Sequence, residues 1–116
     1  MKEINVGDKK VRVRATPLAL LFYKQEFKAD LLGDLVKMEA ARKDISKLDT
    51  VALLQLIWAM AKADSFGKPF PGFVEWLNEL ETFDMSDPTF LLAALEEAAD
   101  GFFRGKAKQQ KQRKQK

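Results

Sequence analysis

The stretch TVALLQLIWAMAKA, residues 50–63, is apolar on nearly every face of a helix, with Gln55 and Lys62 as interruptions. It falls short of the ~18–20 residues that a membrane span requires. A helix that is hydrophobic all round is a buried one. This stretch therefore predicts a helix through the middle of a globular core, with Leu53, Leu54, Ile57, Trp58 and Met60 at the centre. Asp49 stands where its side chain can cap the first turn. The flanking segments are expected to wrap around this axis.

Upstream, Ile4 and Val6, then Val11 and Val13, alternate with polar residues on either side of Gly7-Asp8. Alternation at period two across a turn signal predicts a β-hairpin with all four apolar side chains on one face. A two-residue turn sets Ile4 opposite Val11; a four-residue turn keeps the same face, so the register is open. An isolated hairpin is marginal, so this one must lie on helices. At Ala15-Thr16-Pro17 the period changes. Threonine before proline starts a helix, the hydroxyl as cap and the proline at the first helical position. Leu18, Leu21, Phe22 and Gln25 form its expected stripe, with Phe27 near the end. Asp30 is placed to cap a second helix carrying Leu31, Leu32, Leu35, Val36 and Met38 on one side. Lys37, Glu39, Arg42 and Lys43 are expected to look outward.

Downstream, SFGKPFPG (65–72) breaks the helical pattern with two prolines and two glycines. Phe73, Trp76, Leu77 and Leu80 then recur at helical spacing and predict a short helix. Ser86-Asp87-Pro88 repeats the start signal before a last helix with Phe90, Leu91, Leu92, Leu95 and Ala98, expected to fade near Gly101. The elements add up to a mainly α domain with a small N-terminal β-hairpin (α+β), a compact single-domain bundle of four to five helices over residues 1–105. Residues 106–116 form a separate basic tail.

That tail accounts for the alkaline balance of the chain. Lys plus Arg number 20 against 17 Asp plus Glu, a net of +3, and six of the cations fall in residues 106–116. The body without them has 14 basic and 17 acidic residues, a net of −3. A Lys/Gln-rich segment without large apolar residues cannot offset the entropy of ordering, which predicts a disordered, solubilising appendage. A folded nucleic-acid binder carries its own basic face, so specific nucleic-acid binding is not the expectation.

Catalytic chemistry is poorly provided for. There is no histidine and no cysteine, which removes the usual general base near neutral pH, thiolate nucleophiles, disulfides and ordinary zinc ligation. No phosphate-binding glycine loop occurs. Thr16, Ser86 and Asp87 read as caps, and the neighbouring Glu96 and Glu97 point to different helix faces. The expectation is no enzyme, no cofactor and no metal. The start of the chain, MKEINVGDKK, has no continuous apolar run of a secretory leader, and the setting expected is cytoplasmic. What remains is aromatic surface. Nine phenylalanines and two tryptophans exceed what a small helical core requires. Phe66, Phe70 and Phe73 crowd the Pro/Gly loop, and Phe102-Phe103 follows the last helix. With Trp76, these are the candidate partner-binding residues.

The order of pieces resembles the tail assembly chaperones of long-tailed phages and prophages of Gram-positive bacteria. The resemblance is carried by ATPLALLFYKQEFKADLL with its TP-initiated helix (Thr16–Leu32), by WAMAK (Trp58–Lys62), and by the WL…F segment (Trp76–Phe83). It spans residues 1 to about 100 and departs at SFGKPFPG, where relatives often have a shorter Asp/Pro turn. It implies a non-enzymatic helper that coats the tape measure protein, keeps it soluble and helps recruit tail tube subunits. Further copies of the chain are a possible partner. Such helpers act in the cytoplasm of the bacterial host and are absent from the finished virion. In many relatives a ribosomal frameshift near the end of the gene adds a second domain to a minority of chains. The competing expectation is a small phage or bacterial accessory protein that binds nucleic acid through the basic tail.

Overall fold

The computed structural model describes residues 2–6, 9–41, 44, 47, 49–80 and 89–104. The chain runs through β1 (Lys2–Val6), β2 (Lys9–Val13), α1 (Pro17–Phe27), α2 (Leu31–Ala40), α3 (Thr50–Asp64), α4 (Phe73–Glu79) and α5 (Thr89–Ala99), and a π turn over Asp100–Arg104 extends α5. Among the described residues it is a mainly helical domain of five helices with an N-terminal two-stranded antiparallel hairpin.

The centre is α3. It packs against α1, α2, α4, α5 and β2. The consecutive residues Leu56–Ala61 are all buried, which covers every face of the helix for more than a turn. Leu53 and Ala63 extend this buried run. Leu54 is only half-buried, and Leu56 takes the central place expected of it. The Asp49 carboxylate caps α3, accepting the Ala52 N–H at 3.2 Å.

The hairpin pairs Ile4 with Val11 and Val6 with Lys9, the register of a two-residue connection. Residues 7–8 lie outside the described residues. Ile4, Val6 and Val13 are buried and Val11 half-buried, so the alternation does define the inner face. The hairpin bridges two helices, β2 on α3 and β1 on α5. The Arg14 N–H donates to the Met60 carbonyl at 3.1 Å, and Lys2 pairs with Glu96 at 3.5 Å.

Helix α1 departs from its expected orientation. It buries Ala19 and Tyr23, one residue on from Leu18 and Phe22, which are half-buried. One residue is ~100° of helix rotation, and Leu21 is left 48% exposed. The rotation follows from Tyr23. Its ring is fully buried because its hydroxyl finds polar company inside: it donates to Asp34 Oδ2 at 2.8 Å, with Gln55 Oε1 3.3 Å away. Thr16 begins the helix through its backbone, its carbonyl accepting the Ala19 N–H at 2.9 Å. Its hydroxyl does not cap the helix; Oγ1 is buried without a hydrogen-bond partner among the described residues.

Asp30 caps α2 as expected, accepting the Leu32 N–H at 3.2 Å. Leu31, Leu35 and Met38 are buried, but Leu32 and Val36 are exposed. Lys37 looks outward, whereas Glu39 is half-buried; Arg42 and Lys43 lie outside the described residues. In α5, Phe90, Leu91, Ala94, Leu95 and Ala98 are buried and Leu92 half-buried. The Ser86-Asp87-Pro88 start and the tail at 106–116 lie outside the described residues. The α-helix ends at Ala99, close to Gly101 as expected, but the chain stays coiled as the π turn over Asp100–Arg104. The coil continues because a glycine there lets the chain close on Ala15: a Cβ at Gly101 would fall on Ala15 Cβ and 2.6 Å from the Ala15 carbonyl oxygen. Glu97 Oε2 accepts the Ala15 N–H at 3.3 Å and ties the same two points.

Burial pushes the Tyr23 phenol above its ordinary range, and the hydrogen bond to Asp34 and the negative charges of Asp34 and Asp49 push the same way. An unfolded phenol titrates near pH ~10. Above that pH the unfolded chain releases a proton that the folded chain keeps, so this contribution to stability is full below pH ~10 and is lost as the pH rises. In Tyr23→Phe, the fall in unfolding free energy above pH ~10 should be shallower by up to about 1.4 kcal/mol per pH unit. Denaturant titrations of both proteins across that range measure it; parallel slopes would mean that the phenol ionises equally in both states.

Candidate functional site

Aromatic rings from four segments meet at the C-terminal half of α3. Phe27 packs edge-on against Tyr23 at 5.0 Å, Trp58 at 5.5 Å and Phe73 at 4.9 Å between centroids. Phe73 stacks on Trp76 at 6.4 Å, and Phe70 lies 6.4 Å from Trp58. Edge-to-face pairs of this kind add stability beyond the area they bury. Lys62 lies over the faces of Phe22 and Trp58, 4.7 and 5.1 Å from the centroids, so its charge stays beside an apolar surface.

The Pro/Gly loop is pinned to this cluster. Ser65–Lys68 form a turn closed by the Lys68 N–H on the Ser65 carbonyl at 3.0 Å. Gly67 adopts φ 92°, a left-handed conformation that disfavours any side chain. The Trp58 indole N–H donates to the Pro71 carbonyl at 3.1 Å, and the Phe73 N–H donates to Glu26 Oε2 at 3.4 Å. The Gly72 carbonyl accepts the Trp76 N–H at 2.8 Å as α4 begins.

The six candidate contact residues separate into distinct environments. Phe66, at the apex of the turn, is 69% exposed and Phe70 is half-buried. Phe73 and Trp76 are buried, their rings serving the cluster and leaving little for a partner to touch. Phe102 is half-buried against the core, and Phe103 is 37% exposed. These two sit on the π turn, whose Gly101 abuts Ala15, and neither lines the cleft described next.

That cleft, about 440 Å³, opens between β2, the end of α3, the loop and α4. Its apolar wall is Val11, Phe70, Pro71, Trp76 and Leu80, and Lys9, Lys10, Arg12 and Lys68 surround it. Asp64, with a side chain only 8% exposed, receives Arg12 at 3.2 Å and Arg14 at 3.1 Å. One carboxylate between two guanidiniums leaves a positive surplus. Sequence reasoning missed this basic wall, although Lys10, Arg12 and Arg14 at period two were a visible signal for one charged strand face.

Among the described residues, no group of three or more His, Cys, Asp or Glu side chains is placed to hold a metal ion. No described helix is long and apolar enough to cross a membrane. The chain matches no protein-family model, no curated protein and no solved structure. The segments that carry the sequence resemblance nevertheless come together: α1 supplies Phe27, WAMAK supplies Trp58 and Lys62, and α4 supplies Trp76, within one set of ring contacts. Residues 81–83 of the third segment lie outside the described residues.

Proposed function

We propose that this protein is a phage tail assembly chaperone that binds the tape measure protein, keeps it soluble and helps recruit tail tube subunits, without catalysing a reaction. Its place of action is then the bacterial cytoplasm during virion assembly. The observation that carries the reading is the convergence of Thr16–Leu32, Trp58–Lys62 and the described part of Trp76–Phe83 on one aromatic cluster. Each segment alone is short and apolar; their order and spacing generate a single packed unit, which favours treating them as one pattern. Beside that unit, the exposed Phe66 and Val74 and the apolar cleft are surfaces that an amphipathic helix can cover. A long helical partner repeats its apolar stripe, so weak contacts sum along it.

Co-expression with a cognate tape measure protein should hold that partner in the soluble fraction and yield complexes with several copies of this chain. Phe66→Ser should change the unfolding free energy by no more than ~0.5 kcal/mol, the scatter of a surface substitution, yet lower the amount of partner recovered. A partner that stays insoluble beside the unmodified protein would remove the chaperone reading. If the full chain then binds DNA with steep salt dependence, the nucleic-acid reading of the tail takes its place.

A further inference from the structure

We infer that the cleft between β2 and α4 receives an acidic amphipathic helix, its large apolar side chains against Val11, Phe70 and Leu80 and its carboxylates on Lys9, Lys10 and Lys68. The inference deepens the chaperone reading and rests on it for the source of that helix, an acidic stretch of the tape measure protein. The occupant's chemistry follows from the cleft itself. The lining carries four cations against two carboxylates, Asp64 and Glu79, on a body whose net charge without the tail is −3. Positive charge is therefore concentrated here against the trend of the domain. Arg12 is engaged by Asp64, while Lys9, Lys10 and Lys68 have no carboxylate partner among the described residues.

Apolar wall and basic margin together select the ligand class. The volume of about 440 Å³ lies within the ~300–1,000 Å³ of pockets that enclose small ligands, enough for large side chains to insert. On an amphipathic helix, residues one turn away from such anchors stand beside them on the same side. Glutamates there meet the three lysines. Nucleic acid fits less well, because a phosphate backbone offers nothing apolar to cover Val11, Phe70, Pro71 and Leu80. The basic tail of this chain carries the wrong charge to fill the cleft.

Two tryptophan-free amphipathic peptides with the same apolar face test the inference, one with glutamate and one with lysine on the polar face. Trp76 in the cleft wall supplies the fluorescence signal. The glutamate peptide should bind and shift the emission, and the lysine peptide should bind at least about tenfold more weakly. Lys9→Glu/Lys10→Glu/Lys68→Glu should invert that preference with unchanged circular dichroism, since all three side chains are exposed. Lys68→Glu alone, on the loop, should weaken glutamate-peptide binding about threefold and stands in if the triple variant misfolds. Equal binding of both peptides, binding of neither, or displacement of the glutamate peptide by duplex DNA would overturn the inference. If the charge-reversed variant solubilises the tape measure protein as well as wild type, the cleft is not its docking site and the chaperone reading survives. If the glutamate peptide binds the cleft but the tape measure protein is not solubilised, the acidic-helix site stands and the chaperone reading fails.

Discussion

Trp58→Ala is expected to destabilise the domain by about 3–5 kcal/mol, the range for truncating a large buried aromatic. Trp58 is 1% exposed and touches rings from three other segments, Phe27, Phe70 and Phe73. Alanine would leave a cavity bounded by those rings, which belong to α1, the loop and α4. The Pro71 carbonyl would lose its indole donor as well, and an unsatisfied buried acceptor adds ~1–3 kcal/mol of its own when water cannot reach it. Against a typical domain stability of ~5–15 kcal/mol, much of the protein could be unfolded at ordinary temperature. Chemical denaturation with unchanged m-value measures the effect. A loss below about 1 kcal/mol would mean that the ring is dispensable and the cluster is not the nucleus of the fold.

Gly101→Ala should cost about 1–3 kcal/mol, the usual penalty of forcing atoms into a filled space. In most helical positions the same substitution stabilises, because alanine is the better helix former by ~1 kcal/mol. The reversed sign comes from Ala15, whose Cβ and carbonyl oxygen occupy the place of the new methyl. Both atoms are tied to backbone, and the Glu97 bond to the Ala15 N–H holds the two segments together. Relief requires the end of α5 to move away from the β2–α1 joint, with Phe102 leaving its place against the core. Thermal unfolding of Gly101→Ala, Phe102→Ala and Gly101→Ala/Phe102→Ala would show this coupling as non-additivity. A stabilised Gly101→Ala would mean that the π turn does not dock on Ala15.

Several features were legible from neighbouring residues alone. Asp30 and Asp49 precede apolar helices and cap them in the structure. The alternation of Ile4, Val6, Val11 and Val13 gave the inner face of the hairpin, and the all-round apolar character of residues 51–63 marked the central helix. The candidate contact residues were less legible. Phe66, Phe70 and Phe73 share one short stretch, yet one is exposed, one half-buried and one buried. Their separation is set by the turn at Gly67 and by the indole bond from Trp58, thirteen positions before Pro71. Phe102 and Phe103 likewise divide according to what lies beneath the end of α5.

The sequence by itself determined the kinds of element, the starts of α1, α2 and α3 and the helix that must be central. Those signals act within a turn of helix or a pair of residues, through capping groups, backbone preference and period. Only the tertiary structure decided which face of α1 turns inward, because Tyr23 gains its polar partners from α2 and α3. It alone brought Lys68 and the apolar wall beside Lys9, Lys10 and Arg12, in a body of net negative charge. Net charge is a sum over the chain, whereas a binding surface depends on which charges packing brings side by side.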